Sequence, residues 1–312
     1  MAQHPKKTIL VTGALGHIGS RLVREFSPAL VGRVIMLDNL STQRYASLFD
    51  LPRTIDYAFY EDDIRTADLN THLAGVDVVV HLAAITDAPS SKDTPEETFD
   101  VNLKGTIRLA EACRANGIPL LFPSTTSVYG TQAELVDETS SELKPQSPYA
   151  DSKLQAEKYL QSQKQAGLKF VICRFGTIFG WAVGMRFHTA VNKFTWPAIH
   201  GLPITVWKTA WEQKRPYLYL GDCVEAINLI LEKNVFDGEI YNVLTTNSAV
   251  KDIVETIRQF APDVKVSYVD SAIMNQLSYE VSDNKFRARG FFSKGRLKDG
   301  IQETFSHFSY KA

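Results

Sequence analysis

Apolar residues along this chain come in two alternating textures. Short continuous runs at Thr8 to Thr12, Arg33 to Leu37, Tyr57 to Tyr60, Val76 to His81, Pro119 to Phe122 and Lys169 to Arg174 read as strands buried on both faces, as in a parallel sheet. Between them lie stretches with helical spacing. Ser20 to Phe26 is one; Pro95 to Asn116, with Phe99, Leu103, Ile107 and Ala110 on one face and Gly117 at its end, is another. A third begins at Tyr149 and continues through Leu154, Ala156, Glu157, Tyr159 and Leu160. Strand and helix patterns in regular alternation predict an α/β fold with a doubly wound parallel sheet.

After Gly180 the pattern becomes irregular, and Trp181, Trp196, Trp207 and Trp211 all fall in this half. We read a sheet domain over 1–176 and a smaller C-terminal lobe over 177–312, set against the sheet's C-terminal edge, with the chain free to cross between them. No linker, repeat or low-complexity stretch separates the two. The tryptophans read as core or subunit packing rather than ligand platforms, and His188 as a structural histidine.

At 312 residues the chain is long enough for a large core. With 44% hydrophobic and 22% charged residues it has the composition of a soluble globular protein. A formal net charge of −1 gives no electrostatic case for nucleic acid or an anionic membrane, so an anionic ligand has to be held by local groups. Cys113, Cys173 and Cys223 are scattered, without metal spacing, and suggest a reducing compartment. The polar start, Met1 to Lys7, has no apolar signal core. The expectation is a cytoplasmic protein with no metal.

Chemistry enters at the end of the first strand. Gly13-x-x-Gly16-x-x-Gly19 lies between strand and helix, where glycines permit a tight turn and close approach of backbone to a pyrophosphate. The helix start adds free N–H groups and the positive end of its dipole. Asp38, about twenty residues further on, stands where an acidic side chain accepts hydrogen bonds from a ribose and repels a 2′-phosphate. This favours NAD over NADP. Tyr149 and Lys153 are four apart, so phenol and ammonium share a helix face. A fixed cation beside a phenol favours the phenolate and makes Tyr149 a plausible proton shuttle.

In order and spacing these motifs resemble an extended short-chain dehydrogenase/reductase of the NAD-dependent epimerase/dehydratase family. The resemblance is carried by Thr12-Gly13-x-x-Gly16-x-x-Gly19, Asp38-Asn39-Leu40, Asp63-Ile64, His81-Leu82-Ala83-Ala84, Asn102, Ser124-Thr125-x-x-Val128-Tyr129-Gly130, Tyr149-x-x-x-Lys153, Arg174-Phe175-Gly176 and Arg215-Pro216-Tyr217. It implies a Rossmann fold, NAD as cofactor and a nucleotide-sugar substrate. Thr125 is implied to bind the sugar oxygen undergoing oxidation, Tyr149 to take its proton, and Lys153 to bind the nicotinamide ribose. Gly13, Gly16, His17, Ile18 and Gly19 would hold the pyrophosphate, Asp38 and Asn39 the adenosine ribose, and Asp63 and Ile64 the adenine. Leu82, Ala83, Ala84 and Asn102 complete the implied cofactor set. Thr86, Thr125, Thr126, Thr177, Arg186, Asn192 and Arg215 form the implied substrate set. Many such relatives dimerise through the helices around Asn102 and Lys153, so a homodimer is expected.

Departures from the family pattern narrow the reaction. Where the family's 4,6-dehydratases carry Asp-Glu after the catalytic threonine, this chain has Thr126 and Ser127, which cannot serve as an acid/base pair at neutral pH. The usual Asn is Thr177. A second phosphate arginine has no clear counterpart over Asn275 to Glu280, leaving Arg186 as a substitute. The leading expectation is a nucleotide-sugar epimerase acting at C4. Its rivals are an NAD(P)H-dependent 4-ketosugar reductase and a non-catalytic NAD-sensing regulator.

Overall fold

The computed structural model describes residues 5–132, 135–270 and 278–308. In chain order its strands are β1 (Lys7–Thr12), β2 (Val31–Asp38), β3 (Asp56–Glu61), β4 (Val78–His81), β5 (Leu120–Thr125), β6 (Leu135–Val136), β7 (Phe170–Phe175), β8 (Thr177–Phe179), β9 (Ile204–Trp207), β10 (Lys214–Tyr219), β11 (Ile240–Val243), β12 (Thr246–Ala249), β13 (Val266–Val269) and β14 (Glu280–Val281). The α-helices are α1 (His17–Glu25), α2 (Leu69–Leu73), α3 (Pro95–Phe99), α4 (Gly105–Asn116), α5 (Pro148–Ser162), α6 (Ala190–Ile199), α7 (Leu220–Lys233), α8 (Val250–Arg258), α9 (Asn284–Arg287) and α10 (Leu297–Phe308).

Seven strands form one parallel sheet in the order β11-β7-β5-β4-β1-β2-β3. Its strands are apolar almost throughout because both faces are covered. Ile9, Val11, Val34, Met36 and Val80 point into the core with α1 and α7, while Leu10, Ile35, Leu37, Val79 and Phe122 point into the core with α4 and α5. Connections run to opposite sides from β1 and from β4, so the crevice beyond the C-terminal ends of these two strands is the switch point where such sheets bind ligands.

The smaller lobe is built on the three-stranded sheet β12-β10-β8 and the β13-β9 pair, packed on α6, α8 and α10 around Phe179, Val206, Tyr217 and Ile253. β11, although late in the chain, returns to the edge of the large sheet beside β7. The short apolar run Ile240–Val243 is one that periodicity alone does not separate from the loop-rich surroundings. The helical stretch from Pro95 also differs from a simple helix. A π-helical turn, Asp100–Lys104, joins α3 to α4 and places Asn102 in the interior.

Candidate active site

A cavity of about 700 Å³ opens over the switch point and continues toward the smaller lobe. Its floor is the β1–α1 turn. Gly13 has φ of +65°, and a Cβ there would meet Ala83 N at 2.6 Å, so only glycine lets this turn lie against the chain leaving β4. A Cβ on Gly19 would meet the Gly13 carbonyl at 2.5 Å, which fixes how closely α1 packs on the turn. The first turn of α1 has neither a side-chain cap nor an acidic residue. Its N–H groups and dipole therefore remain available for an anion. Gly13, Gly16, His17, Ile18 and Gly19 all line the cavity.

His17 donates from Nε2 to the Gly180 carbonyl at 2.8 Å, tying the cradle to the smaller lobe. Burial, with Arg186 and Arg44 nearby, lowers its pKa to about 3, so it is a neutral imidazole. Arg44, which belongs to none of the sequence motifs, lines the cavity beside Gly16 and feels Asp38. An arginine outside a recognisable motif gives no sequence signal; its place depends on how the chain after β2 turns back.

Asp38 and Asn39, at the end of β2, both line the cavity. The Asp38 carboxylate accepts from Leu15 N at 3.1 Å and Leu40 N at 3.0 Å, which orients it toward the cradle. Asp63 and Ile64 lie further along. Asp63 accepts from Asn39 Nδ2 at 2.9 Å and from Arg65, whose side chain holds its pKa well below the usual carboxylate range. Leu82, Ala83 and Ala84 line the opposite wall.

The reactive residues arrive from two elements. β5 ends at Thr125, whose hydroxyl accepts from Ser127 N at 3.1 Å. α5 starts with a Ser147 cap on Ala150 N at 3.2 Å and Pro148 in its first turn, features that fix where Tyr149 begins its exposure to the cavity. Thr125, Tyr149 and Lys153 line the cavity together. Burial raises the pKa of the Tyr149 phenol, and the Arg186 cation and the Thr125 side chain pull it back down.

That differs from the reading in which Lys153 supplies the charge. Lys153 Nζ donates to the Pro123 carbonyl at 2.9 Å and sits 4.5 Å from the centre of the Phe122 ring. Burial lowers its pKa to about 7, with Glu157 opposing the fall. A lysine drawn against a carbonyl and an aromatic face is a weaker permanent charge than a surface ammonium, so helix spacing alone overstates its effect on the phenol.

Three of the expected site residues do not line the cavity. Asn102 is fully buried: its Oδ1 accepts from Ile85 N at 2.8 Å and its Nδ2 donates to the Ile85 carbonyl at 2.9 Å. Thr126 turns inward, donating to the Phe175 carbonyl and meeting the Tyr279 hydroxyl, each at 3.3 Å. Asn192 accepts from Gly180 N at 3.2 Å and donates to the Arg186 carbonyl at 3.0 Å, so it braces the loop that presents Arg186. These three act through neighbours, which a linear motif cannot distinguish from direct contact.

Thr86, Thr177, Arg186 and Arg215 do line the cavity. Arg186 donates from Nη1 to the Thr86 hydroxyl, and its Nε is buried with no hydrogen-bond partner among the described residues. His188 also lines it, with a pKa lowered by burial and by Arg186 to about 4. So does Trp207 at the far end, 46% exposed, and therefore not a core tryptophan. Of the stretch 275–280, where a second arginine would be expected, residues 275–277 lie outside the described residues.

A buried chain of hydrogen bonds links cradle and catalytic helix. Thr106 spends its single hydroxyl proton on the Asn102 carbonyl at 2.6 Å, so it accepts from His81 Nε2 at 2.9 Å. His81 Nδ1 is then left to accept the Thr12 hydroxyl at 2.7 Å. The imidazole is neutral, its pKa lowered by burial and then by Lys153 to about 3.

A parallel sheet whose C-terminal crevice is lined by a Thr-Tyr-Lys group defines the class. The chain matches the model of the NAD dependent epimerase/dehydratase family over residues 9–243 and belongs to that family. It is 36% identical to an uncharacterized UDP-glucose epimerase of Bacillus subtilis (strain 168) over 245 residues, 75% of this chain and 76% of the relative. The UDP-glucose 4-epimerase of Thermus thermophilus, solved as a complex with NAD, is 30% identical, with a TM-score of 0.84 over 96% of this chain and 98% of that one. The UDP-glucuronic acid 4-epimerase of Bacillus cereus, solved with UDP-glucuronic acid and NAD, is 26% identical, with a TM-score of 0.85 and the same coverage. The protein is thus an enzyme of nucleotide-sugar epimerase/dehydratase type with NAD as its cofactor. Its residues fit that cofactor: the cradle leaves no room for a Cβ at Gly13 or Gly19, and the start of α1 is uncapped. Among the described residues no helix is long and apolar enough to cross a membrane.

Proposed function

We propose that this protein is a nucleotide-sugar 4-epimerase that oxidises its substrate transiently and restores it with inverted configuration. The observation that carries the reading is the convergence of Thr125, Tyr149 and Lys153 in one cavity, together with hydroxyl residues, Thr126 and Ser127, where dehydration needs an acid/base pair. A cavity of about 700 Å³ is of the size small-molecule sites have.

Bound NAD supplies a reversible hydride acceptor. The chain's own residues do the rest. Thr125 orients the sugar hydroxyl, and Tyr149 takes its proton on oxidation and returns it on reduction. Lys153 would hold the nicotinamide ribose, the α1 cradle the pyrophosphate, and Asp38 with Asn39 the adenosine ribose. Arg215 and Trp207, at the far end, would take the nucleoside diphosphate by charge and the base by its aromatic face. Homodimerisation through α4 and α5 and a cytoplasmic site of action belong to the same reading.

Arg186 favours a sugar that carries a carboxylate. Its guanidinium lies within electrostatic reach of the Tyr149 phenol, and a buried donor on it has no protein partner among the described residues. Leaving such a donor unpaired costs about 1–3 kcal/mol, which an anionic substituent on the sugar would recover. A uronic acid nucleotide, the ligand solved with the Bacillus cereus relative, meets that need. Purified protein should interconvert UDP-glucuronic acid and its C4 epimer with no added cofactor, faster than UDP-glucose. Stoichiometric oxidation of NADH with a ketosugar would select the reductase instead.

A further inference from the structure

We propose that Glu157 is a positioning residue that staples the strand bearing Thr125 to the helix bearing Tyr149 and Lys153, and sets an anion one helical turn from Lys153. Glu157 lies on α5 one turn beyond Lys153, and it is 1% exposed. Its carboxylate receives three bonds from Arg174 on β7: Nε at 3.1 Å and 3.2 Å, and Nη2 at 2.7 Å. It also accepts the hydroxyl of Ser124, the residue immediately before Thr125. One buried side chain therefore joins β5, α5 and β7 directly behind the reactive group. Any rotation of α5 that moved Tyr149 away from Thr125 would strain the Ser124 and Arg174 bonds together.

The second part follows from what surrounds Lys153. On its own helix it has Tyr149 and Glu157. From β5 it meets the Pro123 carbonyl and the Phe122 ring, and from β4 the neutral His81. Arg174, on β7, stands behind Glu157. Among these the one anion is Glu157, and it is the group that opposes the effect of burial on Lys153. A buried amine with no anion near it sheds its proton. Arg174 in turn is needed because an unpaired buried carboxylate would itself be costly, and the flat guanidinium also rests 4.9 Å from the centre of the Tyr129 ring.

The test reads Lys153 directly and uses the full chain. The side-chain carbon resonance next to its amine, assigned by its loss in Lys153→Met, is titrated by NMR in cofactor-free protein. The midpoint should lie near 7 and fall by about one pH unit in Glu157→Gln. Glu157→Gln/Arg174→Met removes both charges and keeps an acceptor for Ser124, so it remains folded if the single variant does not; its midpoint should fall as well. An unchanged midpoint in either folded variant overturns the proposal. The kinetic readout rests on the epimerase reading: the alkaline limb of kcat should move to lower pH by the same amount in the Glu157 variants. Ser124→Ala should lower kcat and leave the limb in place. Wild-type protein that turns over no nucleotide sugar would sink the epimerase reading and leave the Lys153 titration as a valid test.

Discussion

Asn102 donates to the Ser152 hydroxyl at 3.1 Å, and Ser152 donates to the Tyr149 carbonyl at 2.8 Å. The same amide holds both backbone groups of Ile85, on the cavity wall beyond β4. One buried side chain thus sets the distance between the wall and the catalytic helix, and it can do so because the π-helical turn Asp100–Lys104 points it inward.

Asn102→Ala should therefore act on both stability and activity. It strands the Ile85 N–H and carbonyl, and the expected loss is about 2–4 kcal/mol of unfolding free energy, read by chemical denaturation. NAD affinity should fall as well, although Asn102 touches no part of the cavity. A variant with normal stability would show that water replaces the amide and that the brace is dispensable.

Much of this architecture is legible in the order of residues. Runs such as Val78–His81 are apolar on both faces, which only a covered parallel strand tolerates, and glycine spacing marks the one turn where backbone must meet backbone. The reactive residues could be named because their chemistry demands particular side chains at fixed spacing. What could not be read depends on the third dimension. Whether Asn102, Thr126 and Asn192 face the ligand or brace a neighbour is decided by a helical irregularity and by inward rotamers. Arg44 reaches the cavity through a loop and Trp207 from the end of the short strand β9, and no periodicity encodes where either lands. Arg186, on a distant loop, is a cation that holds the Tyr149 pKa down, and no spacing in the sequence points to it.

Two buried histidines set an acid limit. His17 and His81 have pKa values of about 3 when folded, against an ordinary value of 6.5, so the unfolded chain binds more protons between those limits. The stability they contribute is fully present above about pH 6.5 and is lost as pH falls toward 3. Between pH 7 and pH 5 the expected loss is about 2 kcal/mol for each. Denaturation curves of cofactor-free wild type and His81→Gln should show it, with the variant losing about 2 kcal/mol less than wild type over that interval. Equal losses would remove His81 from the acid response.

Arg186→Leu tests the substrate preference. Removing a charge-assisted bond worth about 1.5–3 kcal/mol should raise KM for a uronic acid nucleotide by roughly 10- to 100-fold, with a much smaller effect on UDP-glucose. Steady-state kinetics on the two substrates decide it. Equal effects on both would place Arg186 at the cofactor or in the loop scaffold, and the preference for a carboxylated sugar would go.

The central claim is that the Tyr149 phenol shuttles the proton of the oxidised sugar hydroxyl. The most direct measurement is turnover of the nucleotide sugar by Tyr149→Phe, alongside calorimetric NAD binding by the same preparation. The account predicts turnover lower by at least about 100-fold with NAD affinity close to wild type. Turnover near wild type, in protein that still binds NAD, would contradict it.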